Sequence, residues 1–292
     1  VASLQGGEDQ IRRLMQRAGG FPSFWQAMAL MLLLMVLSLF SGVLLFLKAY
    51  IPAYLLFPLA YTLPFLLLFP LLFHLYKKQN GEALRFGFTL PRWSVVGLVL
   101  LIALGMANLS DLLLRWLSGI EALDSLNDAM VKTFANLYRN SRLGFLISTV
   151  LLAPVFEEVL FRGFFLRGFL KHCKPWDAIA LSAFLFGLLH ANPQQFIAAF
   201  LMGFFLGYAY WRTASLSVPI LVHGLNNLSA FVGLWYDERR VGLEQAIRSA
   251  PISGTQLFWR LLSAVVALLL WYALERHYQN QKPSDEDRIR HP

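Results

Sequence analysis

The chain has 292 residues, of which 57% are apolar and 14% charged, and its formal net charge is +8. Soluble domains run roughly 45–50% apolar and about 25% charged, so this composition excludes an ordinary soluble domain. The basic excess gathers at the ends of apolar runs, as in loops that face anionic lipid, and no nucleic-acid partner is expected.

A hydrocarbon core of about 30 Å takes roughly 20 apolar residues per crossing. The chain offers such runs repeatedly, which predicts an all-α polytopic membrane bundle of about eight helices. Span 1 is expected near Phe24–Leu47; it is too long for a signal-peptide core and reads as a retained helix. Span 2, near Ile51–Tyr76, contains Pro58, Pro64 and Pro70 and should be kinked. Span 3 lies near Ser94–Leu117, where Asp111 and Arg115 sit four apart and should pair. The stretch 118–142 reads as a basic loop. Span 4, near Leu143–Leu170, is long enough to tilt. Spans 5, 6 and 7 follow near Trp176–Ala191, Gln194–Trp211 and Leu216–Trp235, joined so tightly that they must run antiparallel. Gly203 and Gly207 on span 6 form a small-x-x-x-small packing face. Span 8 lies near Gln256–Ala273, and a charged, disordered tail follows. Cys173 is the single cysteine, so no intramolecular disulfide forms. With the N-terminus in the cytoplasm, fifteen Lys and Arg fall on the cytoplasmic side and nine opposite, Arg162 lying inside a span. That bias favours both termini in the cytoplasm, and the expected location is the plasma membrane.

Ionisable residues inside apolar runs cost roughly 2.5–3.5 kcal/mol each to insert, so they are functional candidates by default. Three clusters stand out: Glu157-Glu158 with Arg162 on span 4, Phe186 with His190 on span 5, and His223 with Asn226 and Asn227 on span 7. Glu158 and Arg162 share a helix face and should neutralise each other. Glu157 is rotated by about 100° and lacks that partner, which suits it to accept or donate a proton. His223 and Asn227 also share a face, while Asn226 points elsewhere. At about 1.5 Å per residue the three clusters reach similar heights and can meet in one cavity.

Amide hydrolysis without a side-chain nucleophile needs an activated water, a proton for the leaving amine and donors for the oxyanion. A carboxylate, histidines and an asparagine amide can supply these. Glu157, His190 and His223 would also make a three-ligand zinc set, although His-Glu-x-x-His is absent. A non-catalytic scaffold would have no need of this polar set. A transporter should show polar residues along several spans, whereas spans 1, 2 and 8 are nearly bare in their middles.

Taken in order, Glu157-Glu158-x-x-x-Arg162, Phe186-x-x-x-His190 and His223-x-x-x-Asn227 resemble the CPBP family of intramembrane proteases, which includes the type II CAAX prenyl endopeptidases. The resemblance covers roughly residues 140–235. It implies a glutamate-type protease in which Glu157 activates water with His190, His223 and Asn227 hold the oxyanion, and Glu158 with Arg162 supports the site. It implies no cofactor, with zinc as the alternative, and a membrane-associated substrate that is prenylated in part of the family. The expected organisation is a cytoplasmic segment 1–23, a transmembrane region 24–140, a catalytic core 141–235, a loop with the last helix 236–276, and a cytoplasmic tail 277–292. Residues 1–140 contribute only a hydrophobic pattern at this stage.

Overall fold

The structure, a computed structural model, describes residues 20–81, 83–90, 93–118, 121–247 and 252–280. The expected N-terminal segment and C-terminal tail lie largely outside the described residues. The described residues are helical throughout, with no strand among them.

Helix α1, Phe24–Ser41, begins at a capping box: Ser23 accepts from the Gln26 amide while Gln26 caps the Ser23 N–H. A 3-10 stretch, Gly42–Ala49, extends it. Helix α2, Ala53–Asn80, stays one helix despite Pro58, Pro64 and Pro70, and it stops at Gly81, whose φ of 74° is the left-handed cap that glycine tolerates. Helix α3 is Trp93–Ser118 and α4 is Glu121–Asn140. Helix α5, Arg142–Phe169, starts at the Ser141 cap. Helices α6 (Pro175–Leu189), α7 (Pro193–Thr213), α8 (Ser217–Val241), α9 (Leu243–Ile247) and α10 (Gly254–Asn280) complete the chain.

Six of these helices are long and apolar enough to cross a membrane: α1 with its extension, α2, α3, α5, α8 and α10. The other two expected spans exist as α6, a shorter apolar helix of 15 residues, and α7, which opens on Pro193-Gln194-Gln195. The protein is therefore a polytopic helical membrane protein. Its outer faces carry exposed leucines and valines, including Leu32, Leu66, Leu101, Val265 and Leu269, a surface suited to acyl chains rather than water.

Helix α5 is the axis of the bundle. Every residue from Glu157 to Leu170 is buried, and Phe161, Phe164, Phe165 and Phe169 meet α1, α2 and α6 in the main core. Gly203 and Gly207 form the expected close face: a Cβ on Gly203 would lie 2.9 Å from Phe186 Cδ1, and one on Gly207 3.1 Å from Ile179 Cγ2. At the far side α3 packs on α10, joined by the Asn108–Ser263 hydrogen bond and by the expected Arg115–Asp111 pair at 2.7 Å, which Arg260 also reaches.

One expectation is corrected. The stretch read as a basic loop, 118–142, contains the 20-residue helix α4. It is too polar to span, but Val131, Ala135 and Tyr138 recur at helical spacing and bury one face. Arg139 and Arg142 tie this end of the chain to Glu244 and Glu238.

Candidate active site

Glu158 and Arg162 form the expected pair, with Arg162 Nη1 donating to Glu158 Oε1 at 2.9 Å and both side chains fully buried. Arg162 Nη2 also donates to the Gly203 carbonyl at 2.6 Å, and its guanidinium lies 4.8 Å from the Phe186 ring centre. Phe186 is the hub of the cluster. Its ring centre is 5.2 Å from that of His190 and 5.6 Å from that of His223, which gives the phenylalanine of Phe-x-x-x-His a physical task.

His223 on α8 sits between the two carboxylates. Its Nδ1 is 2.8 Å from Glu158 Oε1, and its Nε2 is 3.9 Å from Glu157 Oε2. Glu158 Oε1 accepts from Arg162 and is placed to accept from His223 Nδ1 as well, which leaves Nε2 facing Glu157. His190, at the C-terminal end of α6, directs Nδ1 to the Phe186 carbonyl at 3.0 Å. A carbonyl only accepts, so Nδ1 donates and Nε2 is left as the ring's acceptor.

Asn227 lies one turn beyond His223. Its Nδ2 donates to the Thr149 carbonyl at 2.8 Å, and its Oδ1 accepts from Asn226 Nδ2 at 3.1 Å. These two bonds fix which end of the amide is the donor, and one N–H of Nδ2 remains. Asn226 was expected to point elsewhere; it is instead the group that orients Asn227. The Thr149 carbonyl is open to Asn227 because α5 is π-helical over Ile147–Leu152: the Ala153 N–H bonds Ser148 O, and residue 154 is a proline without an N–H. A second π-helical segment, Val159–Leu166, follows the carboxylate pair, and such segments are frequent at functional sites.

Glu157 is 8% exposed and is not without a partner, as the sequence had suggested. The Tyr61 hydroxyl of α2 donates to Glu157 Oε1 at 2.7 Å. Tyr61 was missed because residues 1–140 read only as a hydrophobic pattern. The available signal was a phenol well inside a span, since tyrosine belongs at span ends when its role is interfacial.

Glu157, His190, Tyr61, Ser38, Ser41 and Ala60 line two adjoining hollows. The larger, about 630 Å³, also takes in His223, Asn227, Thr149 and Gln195, and is otherwise walled by apolar residues such as Phe57, Phe134, Leu137 and Phe231. The smaller, about 350 Å³, continues between Leu34, Pro64, Phe65 and Leu189. The structure thus brings Glu157, His190, His223 and Asn227 to one cavity wall, with Glu158 and Arg162 behind them. Helix α4 contributes Phe134 and Leu137 to that wall. Its Tyr138 phenol is pushed up by burial and by the Glu238 carboxylate it bonds. Among the described residues, no three His, Cys, Asp or Glu side chains gather as a metal centre.

Comparison with known proteins points to the same segment. Residues 139–229 match the family model for Rce1-like type II CAAX prenyl endopeptidases. The chain is 28% identical over 82 residues to YdiL of Bacillus subtilis (strain 168), which bears the name "Putative membrane peptidase"; the match covers 28% of this chain and 34% of that protein. It is 34% identical over 87 residues to the UPF0177 protein YbdI of Lactococcus lactis subsp. lactis (strain IL1403), covering 30% of this chain and 46% of that one. The chain thus matches less than half the length of either relative. No solved structure matches it.

Proposed function

We propose, from the match of residues 139–229 to the Rce1-like, type II CAAX prenyl endopeptidase family model and the resemblance to the CPBP proteases, that this chain is an intramembrane endopeptidase. Its substrate is a membrane-associated protein or peptide, and the apolar walls of the larger hollow suit one that is lipidated or strongly apolar. The observation that carries the proposal is the buried Glu157 carboxylate sharing a cavity with the imidazoles of His190 and His223. Lysine and arginine placement supports both termini in the cytoplasm.

In the reaction, Glu157 takes a proton from a water that His190 Nε2 also receives. The resulting hydroxide attacks the scissile carbonyl. Charge develops on the carbonyl oxygen, and donors aimed at that point are worth most in a site shielded from water. His223 Nε2–H and the remaining Asn227 Nδ2–H are those donors. Glu157 then passes its proton to the leaving amine.

The test compares membranes bearing the wild-type chain with membranes bearing Glu157→Gln. Glutamine keeps the acceptor for Tyr61 but cannot take the proton. A substrate fragment should be present only with the wild type. Purified Glu157→Gln protein cleaving that substrate at the wild-type rate overturns the mechanism.

A further inference from the structure

The carboxylate of the site is bonded by a polar group from outside residues 139–229, the segment that matches the family model. Tyr61 stands on α2, and its hydroxyl reaches Glu157 Oε1 at 2.7 Å. Among the described residues no other hydrogen bond reaches that carboxylate. On its own helix, Glu158 and Arg162 are committed to each other. From α8, His223 Nε2 stops 3.9 Å from the other oxygen, Oε2. His190 from the end of α6 shares the hollow, with its Nδ1 on a carbonyl. Helix α1 offers Ser38 and Ser41, whose hydroxyls are turned to Leu34 O and Ser38 O.

The phenol is itself held. The Tyr61 ring lies 5.5 Å from Phe65, and Phe65 stacks at 5.3 Å and 27° on Phe156, the residue next to Glu157. This aromatic ladder ties the α2 donor and the α5 acceptor to one rigid contact. A carboxylate with one oxygen pinned cannot swing freely, so its second oxygen has a fixed aim.

We infer that Tyr61 is a positioning residue for the hydrolysis, pinning Glu157 Oε1 so that Oε2 stays turned into the hollow it shares with His190, where the attacking water is held. The inference rests on the reading of Glu157 as the base. It extends that site onto α2, beyond the residues that match the family model.

The experiment uses the full chain in detergent and a substrate peptide taken from the fragment comparison. Tyr61→Phe keeps the ring and its ladder but removes the donor. A hydrogen bond to a charged group is worth enough to lower kcat by about ten- to a hundred-fold. KM should stay within about twofold, and the variant should still unfold in one cooperative transition. A wild-type kcat, or an effect confined to KM, overturns the inference. A second measurement does not depend on turnover: with 3-fluorotyrosine at position 61, the fluorine resonance should move on Glu157→Ala, and an unmoved resonance overturns the contact. The two readings fail separately. An active Glu157→Gln removes the base, whereas an inactive Glu157→Gln beside a fully active Tyr61→Phe removes only the role of Tyr61.

Discussion

Replacing Arg162 by methionine tests how the site is held. The guanidinium is fully buried and carries two short bonds, 2.9 Å to Glu158 and 2.6 Å to the Gly203 carbonyl. Methionine fills much of the volume but leaves Glu158 as a charge with no cation beside it except His223. Removing one partner of a buried pair costs about 3–5 kcal/mol, because the remaining charge has no water to return to. The Gly203 carbonyl keeps its partner within α7 and loses only the extra bond from Arg162, which adds about 1 kcal/mol. These costs rival the whole stability of many domains, so Arg162→Met should yield little folded protein and unfold at lower temperature in detergent. The double change Glu158→Gln with Arg162→Met removes the stranded charge and should recover much of that loss. It should not recover cleavage, because His223 then has no carboxylate at Nδ1. Thermal unfolding of the four proteins in the cycle reads the coupling directly. A single Arg162→Met variant as stable as wild type would refute the account, as would a double variant no better than that single one.

Other expectations follow from the same geometry. Gly203→Ala places a methyl 2.9 Å from Phe186 and 3.3 Å from Arg162 Nη2, so it should destabilise the protein by about 1–3 kcal/mol in unfolding experiments. Asn227→Ala should lower kcat by about a hundred- to a thousand-fold if Asn227 is an oxyanion donor, and should lower the unfolding transition as well, because it strips the Thr149 carbonyl of its donor. Dialysis against a chelator should leave cleavage unchanged; loss of activity that zinc restores would assign the site to metal chemistry instead.

Much of the site is legible in the sequence because insertion into lipid is expensive. Glu157, Glu158, Arg162, His190, His223 and Asn227 stand out for the one reason that charged and polar groups are rare at mid-span. The same filter hides what is not charged. Tyr61 passes as one more aromatic residue in an aromatic-rich chain, and Asn226 is dismissed by assuming 100° per residue. Helix α4 is hidden by the opposite bias: its polar face disqualifies it as a span, and its buried face of Val131, Ala135 and Tyr138 appears only when helical spacing is sought there. The membrane class follows from composition alone. The exact set of crossings does not, because α6 is short and α7 begins with glutamines.

The local winding of α5 lies beyond simple periodicity. Phe145, Ser148, Thr149, Ala153 and Glu157 all line the larger hollow. In a straight α-helix Phe145 and Glu157, twelve apart, would be rotated by about 120° and would not share a wall. The π-helical segment Ile147–Leu152 takes up that drift. Pro154 accounts for it: a proline in a helix interior lacks the N–H for the carbonyl four residues back and clashes with it. The displaced carbonyls are then met from α8, where Asn227 donates to Thr149 O and Gly224 leaves room for Val150 O, which a Cβ would approach to 3.3 Å. Pro154→Ala therefore makes a discriminating variant. It restores a backbone donor that competes with Asn227 for the Thr149 carbonyl. Alanine is the better helix former, so thermal stability should hold or rise. Cleavage should fall, by about three- to tenfold for the loss of one neutral hydrogen bond that orients an oxyanion donor. Undiminished cleavage in Pro154→Ala would mean that the winding of α5 does not position Asn227.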